Sequence, residues 1–147
     1  MLAARREVIL ANRRARKAAK PGYINTDASW QGGMAGLAYV GVLGTRVEMV
    51  ACRDNHEAEY LALLMAMEDA DRCLVGQLAF RTDSQTVVNL QTGTSGQFRD
   101  LCARVKSLLA RHPGWTLVLI EGQRNKTADK LSRWPLKRAG YSADTSR

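Results

Sequence analysis

GYINTDASWQGGMAGLAYVGVLGTRVEMVACR, residues 22–53, decides the fold. Residues 22–29 read as a strand and 31–36 as a turn. Residues 37–43 and 45–53 read as two further strands folded about Gly44, the pattern of a hairpin. Beyond this stretch the period changes. Ala58, Leu61, Ala62, Met65 and Ala66 recur at helical spacing, so residues 56–73 are expected to form a helix with one buried stripe. Residues 77–82 read as a fourth strand and 84–90 as a short helix, and Gly93-Thr-Ser-Gly96 breaks the chain. Residues 97–111 form a second long helix with Leu101, Val105, Leu108 and Leu109 on one face, stopped by His112-Pro-Gly114. A fifth strand at 115–120 and a last helix at 126–138 complete the order. Three antiparallel strands followed by two strand–helix units predict a mixed α/β fold: a five-stranded mixed sheet with helices on both faces. Trp134, at the end of the last helix, is expected in the core. Cys73 is given a packing role, and Trp30 either packs at its strand end or stacks on nucleic acid.

Upstream, residues 1–20 hold seven Lys or Arg (Arg5, Arg6, Arg13, Arg14, Arg16, Lys17, Lys20) against one acid, Glu7. Pro21-Gly22 then punctuates the chain. The expected organisation is a basic N-terminal arm (1–20), one domain (21–139) and a frayed tail (140–147). The arm reads as a nucleic-acid-binding segment, as a helix packed on the domain, or as a targeting segment. With most of the net charge of +8 concentrated there, it is expected to contact a phosphate backbone. No apolar run reaches membrane-spanning length. Cys52, Cys73 and Cys102 are odd in number and widely spaced, which suits a reducing compartment and a cytoplasmic location. A monomer is expected.

Four acids sit in distinct local patterns: Asp27 in Tyr23-Ile-Asn-Thr-Asp-Ala-Ser29, Glu59 in Asn55-His-Glu-Ala-Glu-Tyr-Leu-Ala62, Asp83 in Phe80-Arg-Thr-Asp-Ser-Gln-Thr-Val-Val88, and Asp129 in Arg124-Asn-Lys-Thr-Ala-Asp-Lys-Leu131. Asp83 ends a strand, where open α/β sheets bind ligands. Glu59 and Asp129 each lie near a helix start, a place that suits an acid for dipole reasons alone. Four acids drawn together would repel unless cations neutralised them, and oxygen-only ligands suit Mg²⁺ or Mn²⁺ over zinc.

In this order and with these flanks the chain resembles the type 1 ribonuclease H family over roughly residues 22–135. The resemblance implies a ribonuclease H-like fold and an endonuclease that cleaves the RNA strand of RNA–DNA hybrids, leaving 5′-phosphate and 3′-hydroxyl ends. It implies two Mg²⁺ or Mn²⁺ ions, with Asp27 bridging both, Glu59 and Asp83 completing one site and Asp129 the other. Asn55 and Gln85 match hybrid-contacting positions, and Ser29, Gly32, Gly33, His56 and Arg124 join them as candidate nucleic-acid contacts. Each also has an ordinary reading: Asn55 as a helix cap, Gln85 as a surface residue, the glycines as a turn. The chain departs from the family pattern in places. His56 replaces a second Asn, Asp27-Ala-Ser29 replaces Asp-Gly-Ser, and no His follows residue 113. Arg124 is the nearest candidate for that missing His, and as a permanent cation it cannot shuttle protons. The short separation of Asp83 from Asp129 implies a form without the basic protrusion. The rival readings are a superfamily nuclease of different specificity and a non-catalytic nucleic-acid-binding module.

Overall fold

The computed structural model describes residues 22–91 and 98–140. The basic arm, the chain break at 93–96 and the tail from residue 141 lie outside the described residues. The strands are β1 (Gly22–Gln31), β2 (Met34–Gly41), β3 (Gly44–Ala51), β4 (Leu78–Thr82) and β5 (Trp115–Leu119). The helices are α1 (Asn55–Arg72), α2 (Gln85–Val88), α3 (Arg99–Arg111) and α4 (Lys126–Arg138), with a 3₁₀ turn at Gly122–Asn125. The sheet order is β3-β2-β1-β4-β5. β1–β2 and β2–β3 are antiparallel, whereas β1–β4 and β4–β5 are parallel. This is the mixed sheet the element order predicts.

The first turn is tighter than the sequence suggests. β1 runs to Gln31 and β2 starts at Met34, leaving only Gly32 and Gly33 between them. Both have positive φ, 58° and 84°, the condition for a two-residue hairpin loop whose twist matches its strands. The residues expected to form the rest of the turn are therefore free to pair in the ladder.

Side chains alternate across the sheet. Ile24, Ala28, Leu37, Tyr39 and Phe80 point to one face and form the core with α1 and α3. On the opposite face α4 lies close to β2, because Gly36 has no side chain there. A Cβ on Gly36 would stand 1.8 Å from the Ser132 carbonyl oxygen. Beside it, the Ser29 and Ser132 hydroxyls meet at 2.8 Å.

α1 starts at Asp54, whose side chain accepts from the Glu57 amide at 2.9 Å, while Glu57 reaches back to the Arg53 amide at 3.1 Å. This reciprocal cap makes Asp54 the cap and leaves Asn55 as the first helical residue. The Tyr60 hydroxyl donates to the Gln91 carbonyl at 2.6 Å, and the Cys102 thiol to that of Leu90 at 2.9 Å. Together they hold the chain after α2, where Leu90 takes a left-handed φ of 52°. No described helix lies between α2 and α3.

Two expectations fail. Trp134 is not core: its indole is 52% exposed on the outer side of α4, with the Arg138 guanidinium 4.8 Å from the ring centroid. The buried residues of α4 are Ala128, Ser132 and Leu136, and position 134 falls on the other side of the helix. Cys73 does not pack either. It is exposed at the C-terminal end of α1. Trp30 takes its packing role, donating from Nε1 to the Cys52 carbonyl at 2.9 Å. Among the described residues no helix is long and apolar enough to cross a membrane.

Candidate metal centre

The site forms where β4 stops and β1 continues. The last registered pair of these parallel strands is Asn25 with Arg81. Two residues further the same register sets Asp27 against Asp83, just past the end of β4. Glu59 reaches the same point from α1. One carboxylate oxygen from each of Asp27, Glu59 and Asp83 lies within 4.8 Å of the others, about the width of one hard cation's oxygen shell. Asp27 and Glu59 are buried, at 4% and 6% exposure. Asp129, in the first turn of α4, stands outside this trio and pairs with Arg133 at 3.1 Å. Its charge is still felt by Asp27 and Asp83.

The electrostatics are those of an unneutralised anion cluster. Burial pushes Asp27 up to about 8, helped by the charge of Asp83 and opposed by the Ala28 amide. Glu59 is raised well above the usual carboxylate range, first by burial and then by the Asp27 charge. Asp83 is raised by burial, against a hydrogen bond from Asn125 that favours its ionised form. The Oε2 atom of Glu59 is buried and has no hydrogen-bond partner. A buried acceptor left in this way is expensive unless a ligand completes it. An all-oxygen donor set of this width fits a hard divalent cation.

Asn125 is the residue that the sequence reading misses. It is fully buried. Its Nδ2 donates to the Thr26 carbonyl at 2.9 Å, one residue before Asp27, and its side chain favours the ionised form of Asp83. In sequence it is an ordinary Asn before a helix, and the only signal was its place in the pattern around Asp129. It clamps the turn carrying Arg124 onto β1 and supports two of the acids at once.

The other candidates are more scattered. Asn55 and His56 are exposed at the start of α1, and His56 makes an edge contact with Phe98. Gln85 is exposed at the start of α2, its Nε2 donating to Asn89 Oδ1 at 2.9 Å. Arg124 is exposed on the 3₁₀ turn, with its carbonyl 3.4 Å from Asn25 Nδ2. Ser29 is engaged with Ser132, and the hairpin turn accounts for Gly32 and Gly33.

A family model described as reverse transcriptase-like matches residues 26–135, a stretch that includes all four acids and Asn125. The chain belongs to this family, and its fold is ribonuclease H-like. Among solved structures it is similar to ribonuclease H1 from the halophilic archaeon Halobacterium salinarum NRC-1, with a TM-score of 0.68 and 24% identity over 80% of this chain and 98% of that one. It is also similar to the N-terminal ribonuclease H domain of a Mycobacterium tuberculosis protein, solved as a fusion with maltose-binding protein. There the TM-score is 0.65 and the identity 23%, over 76% of this chain and 95% of that one. No curated protein matches the sequence.

Proposed function

We propose that this protein is a divalent-cation-dependent endonuclease that hydrolyses the RNA strand of RNA–DNA hybrids. The observation that carries the reading is the convergence of Asp27, Glu59 and Asp83, with a buried Glu59 oxygen left without a partner. The names of the two solved structures, each a ribonuclease H, supply the reaction class by analogy. Asp27 would be shared between two Mg²⁺ or Mn²⁺ ions, Glu59 and Asp83 would complete one position, and Asp129 would serve the other. When bound, such ions acidify the attacking water and stabilise the leaving 3′ oxygen. The chain's own work is to hold the carboxylates. Asn125 fixes Asp83 and the backbone beside Asp27, so little reorganisation remains when the cations arrive.

Substrate choice would rest on the minor groove of the hybrid, where the RNA 2′-hydroxyls are displayed. Asn55 and Gln85 are exposed amides able to donate and accept there. Asn89 holds the Gln85 amide group in one orientation, which favours a definite contact over a loose one.

The test is cleavage of a labelled RNA–DNA hybrid with Mg²⁺, Mn²⁺ or EDTA, by the protein and by Asp83→Asn. RNA-strand cuts that need the metal, leave 5′-phosphate ends and fall by a thousandfold or more in Asp83→Asn are expected. An intact hybrid, with single-stranded and duplex controls also intact, would leave a binding module. Cleavage of the controls instead would keep the metal centre and overturn the substrate.

A further inference from the structure

The outer side of α4 is a basic ridge that the metal centre does not use. Lys126, Lys130, Trp134 and Arg138 follow one another at intervals of four and form one row that slants across the outer side of the helix. Lys137 stands beside this row, and all five residues are exposed. The helix orientation is fixed from the other side, where Ala128, Ser132 and Leu136 are buried and Ser132 fits over Gly36. The cations therefore point away from the sheet. The only acid on α4 is Asp129, and it pairs with Arg133. Among the described residues no acid pairs with Lys126, Lys130, Lys137 or Arg138. Trp134 is half exposed among them, with Arg138 over its ring.

We propose that this side of α4 is a nucleic-acid-binding surface that takes the phosphate backbone of the duplex leading away from the metal centre. Two arguments select that occupant. The first is charge: an unpaired basic ridge complements a polyanion and would repel a basic partner. The second is continuity, since the first turn of α4 lies near enough to the acid cluster for the charge of Asp129 to be felt by Asp27 and Asp83. From Lys126 to Arg138 the helix rises about 18 Å, a length over which one strand carries roughly five phosphates. The ridge can thus follow the backbone of the same duplex whose scissile bond lies at the acids. Trp134 offers an apolar plane to a sugar ring between phosphate contacts. The proposal rests on the nuclease reading for the identity of its duplex, but binding and cleavage can be measured apart.

The experiment uses the full chain and a fluorescent hybrid of about 20 base pairs in EDTA, with anisotropy read across a range of salt concentrations. Lys130→Glu/Lys137→Glu is compared with Arg104→Glu/Lys106→Glu, an equal change in charge on α3. The α4 variant is expected to bind at least tenfold more weakly and to show a salt slope smaller by about two. The α3 variant should stay within about threefold of the wild type. Trp134→Ala should weaken binding several-fold with the slope unchanged. Equal losses in both double variants, no loss in the α4 variant, or no binding by the wild type would each overturn the proposal. If the wild type cleaves the hybrid while the α4 variant binds normally, this surface falls and the nuclease stands. If α4 governs binding but no metal supports cleavage, the nuclease reading falls and the surface stands.

Discussion

Asp27 shows what each acid contributes on its own. Its carboxyl is pushed up to about 8, mainly by burial, whereas in the unfolded chain it titrates near 4. A folded value above the unfolded one means that the unfolded state loses its proton first. Asp27 therefore costs no stability below about pH 4, and its penalty grows as pH rises from there to about 8. In EDTA at pH 8, Asp27→Asn should be more stable than the wild type by about 1–3 kcal/mol. The gap should close at pH 4 and should narrow or reverse with Mg²⁺. Urea unfolding at the two pH values would check this, and equal stability at both would show that the cluster carries no such strain. Asn125 works in the opposite sense, since its hydrogen bond favours the ionised form of Asp83. A residue of this kind leaves little trace in sequence, because its importance depends on which strand its amide meets across 99 positions.

At the scale of elements, the site depends on α4 resting close against β2. Gly36 permits that approach, with the Ser132 carbonyl occupying the space where a Cβ would be. Gly36→Ala should push α4 off the sheet and destabilise the fold by about 2 kcal/mol or more. It should also weaken metal binding, because Asp129 and Asn125 move with that helix and its preceding turn. Thermal unfolding together with calorimetric metal titration would test both effects. A stable variant with normal metal affinity would show that the contact is dispensable. The bounds of the long helices were legible in sequence, and α1, α3 and α4 fall within a residue or two of the reading from spacing and stop signals. The single buried stripe expected of α1 was not found: Leu61 is only partly buried, while Leu63, Leu64 and Met67 are buried as well, because α1 is packed on most of its sides. Trp134 was misplaced because an aromatic near a helix end reads as core by type alone, while the helical phase puts it opposite Ala128, Ser132 and Leu136.

Across the whole molecule the strand order decides where chemistry can occur. Parallel pairing of β1 with β4 ends at Asn25 and Arg81, and the notch beyond it receives acids from two strands and one helix, with Asp129 of a second helix nearby. A molecule that keeps such a cluster should be stabilised by the ion it is built to hold. Mg²⁺ or Mn²⁺ at about a hundred times its dissociation constant should stabilise the native state by about 2.7 kcal/mol, a rise of several degrees in melting temperature. Asp83→Asn should lose most of that rise. An unchanged melting temperature in the wild type at millimolar Mn²⁺ would argue against a metal centre.

The sequence by itself determined the element order, the mixed sheet and the four acids with their flanks, because local period, turn residues and short motifs are local properties. It also marked the basic arm. Only the tertiary structure decided that three of the acids close on one point while Asp129 holds Arg133. It also decided that Asn125 braces the site, and that Lys126, Lys130, Lys137 and Arg138 of α4 share one exposed side on which no described acid pairs with them. Those facts depend on strand register, helix phase and close backbone approach, which join residues far apart in the chain through packing that no local pattern records.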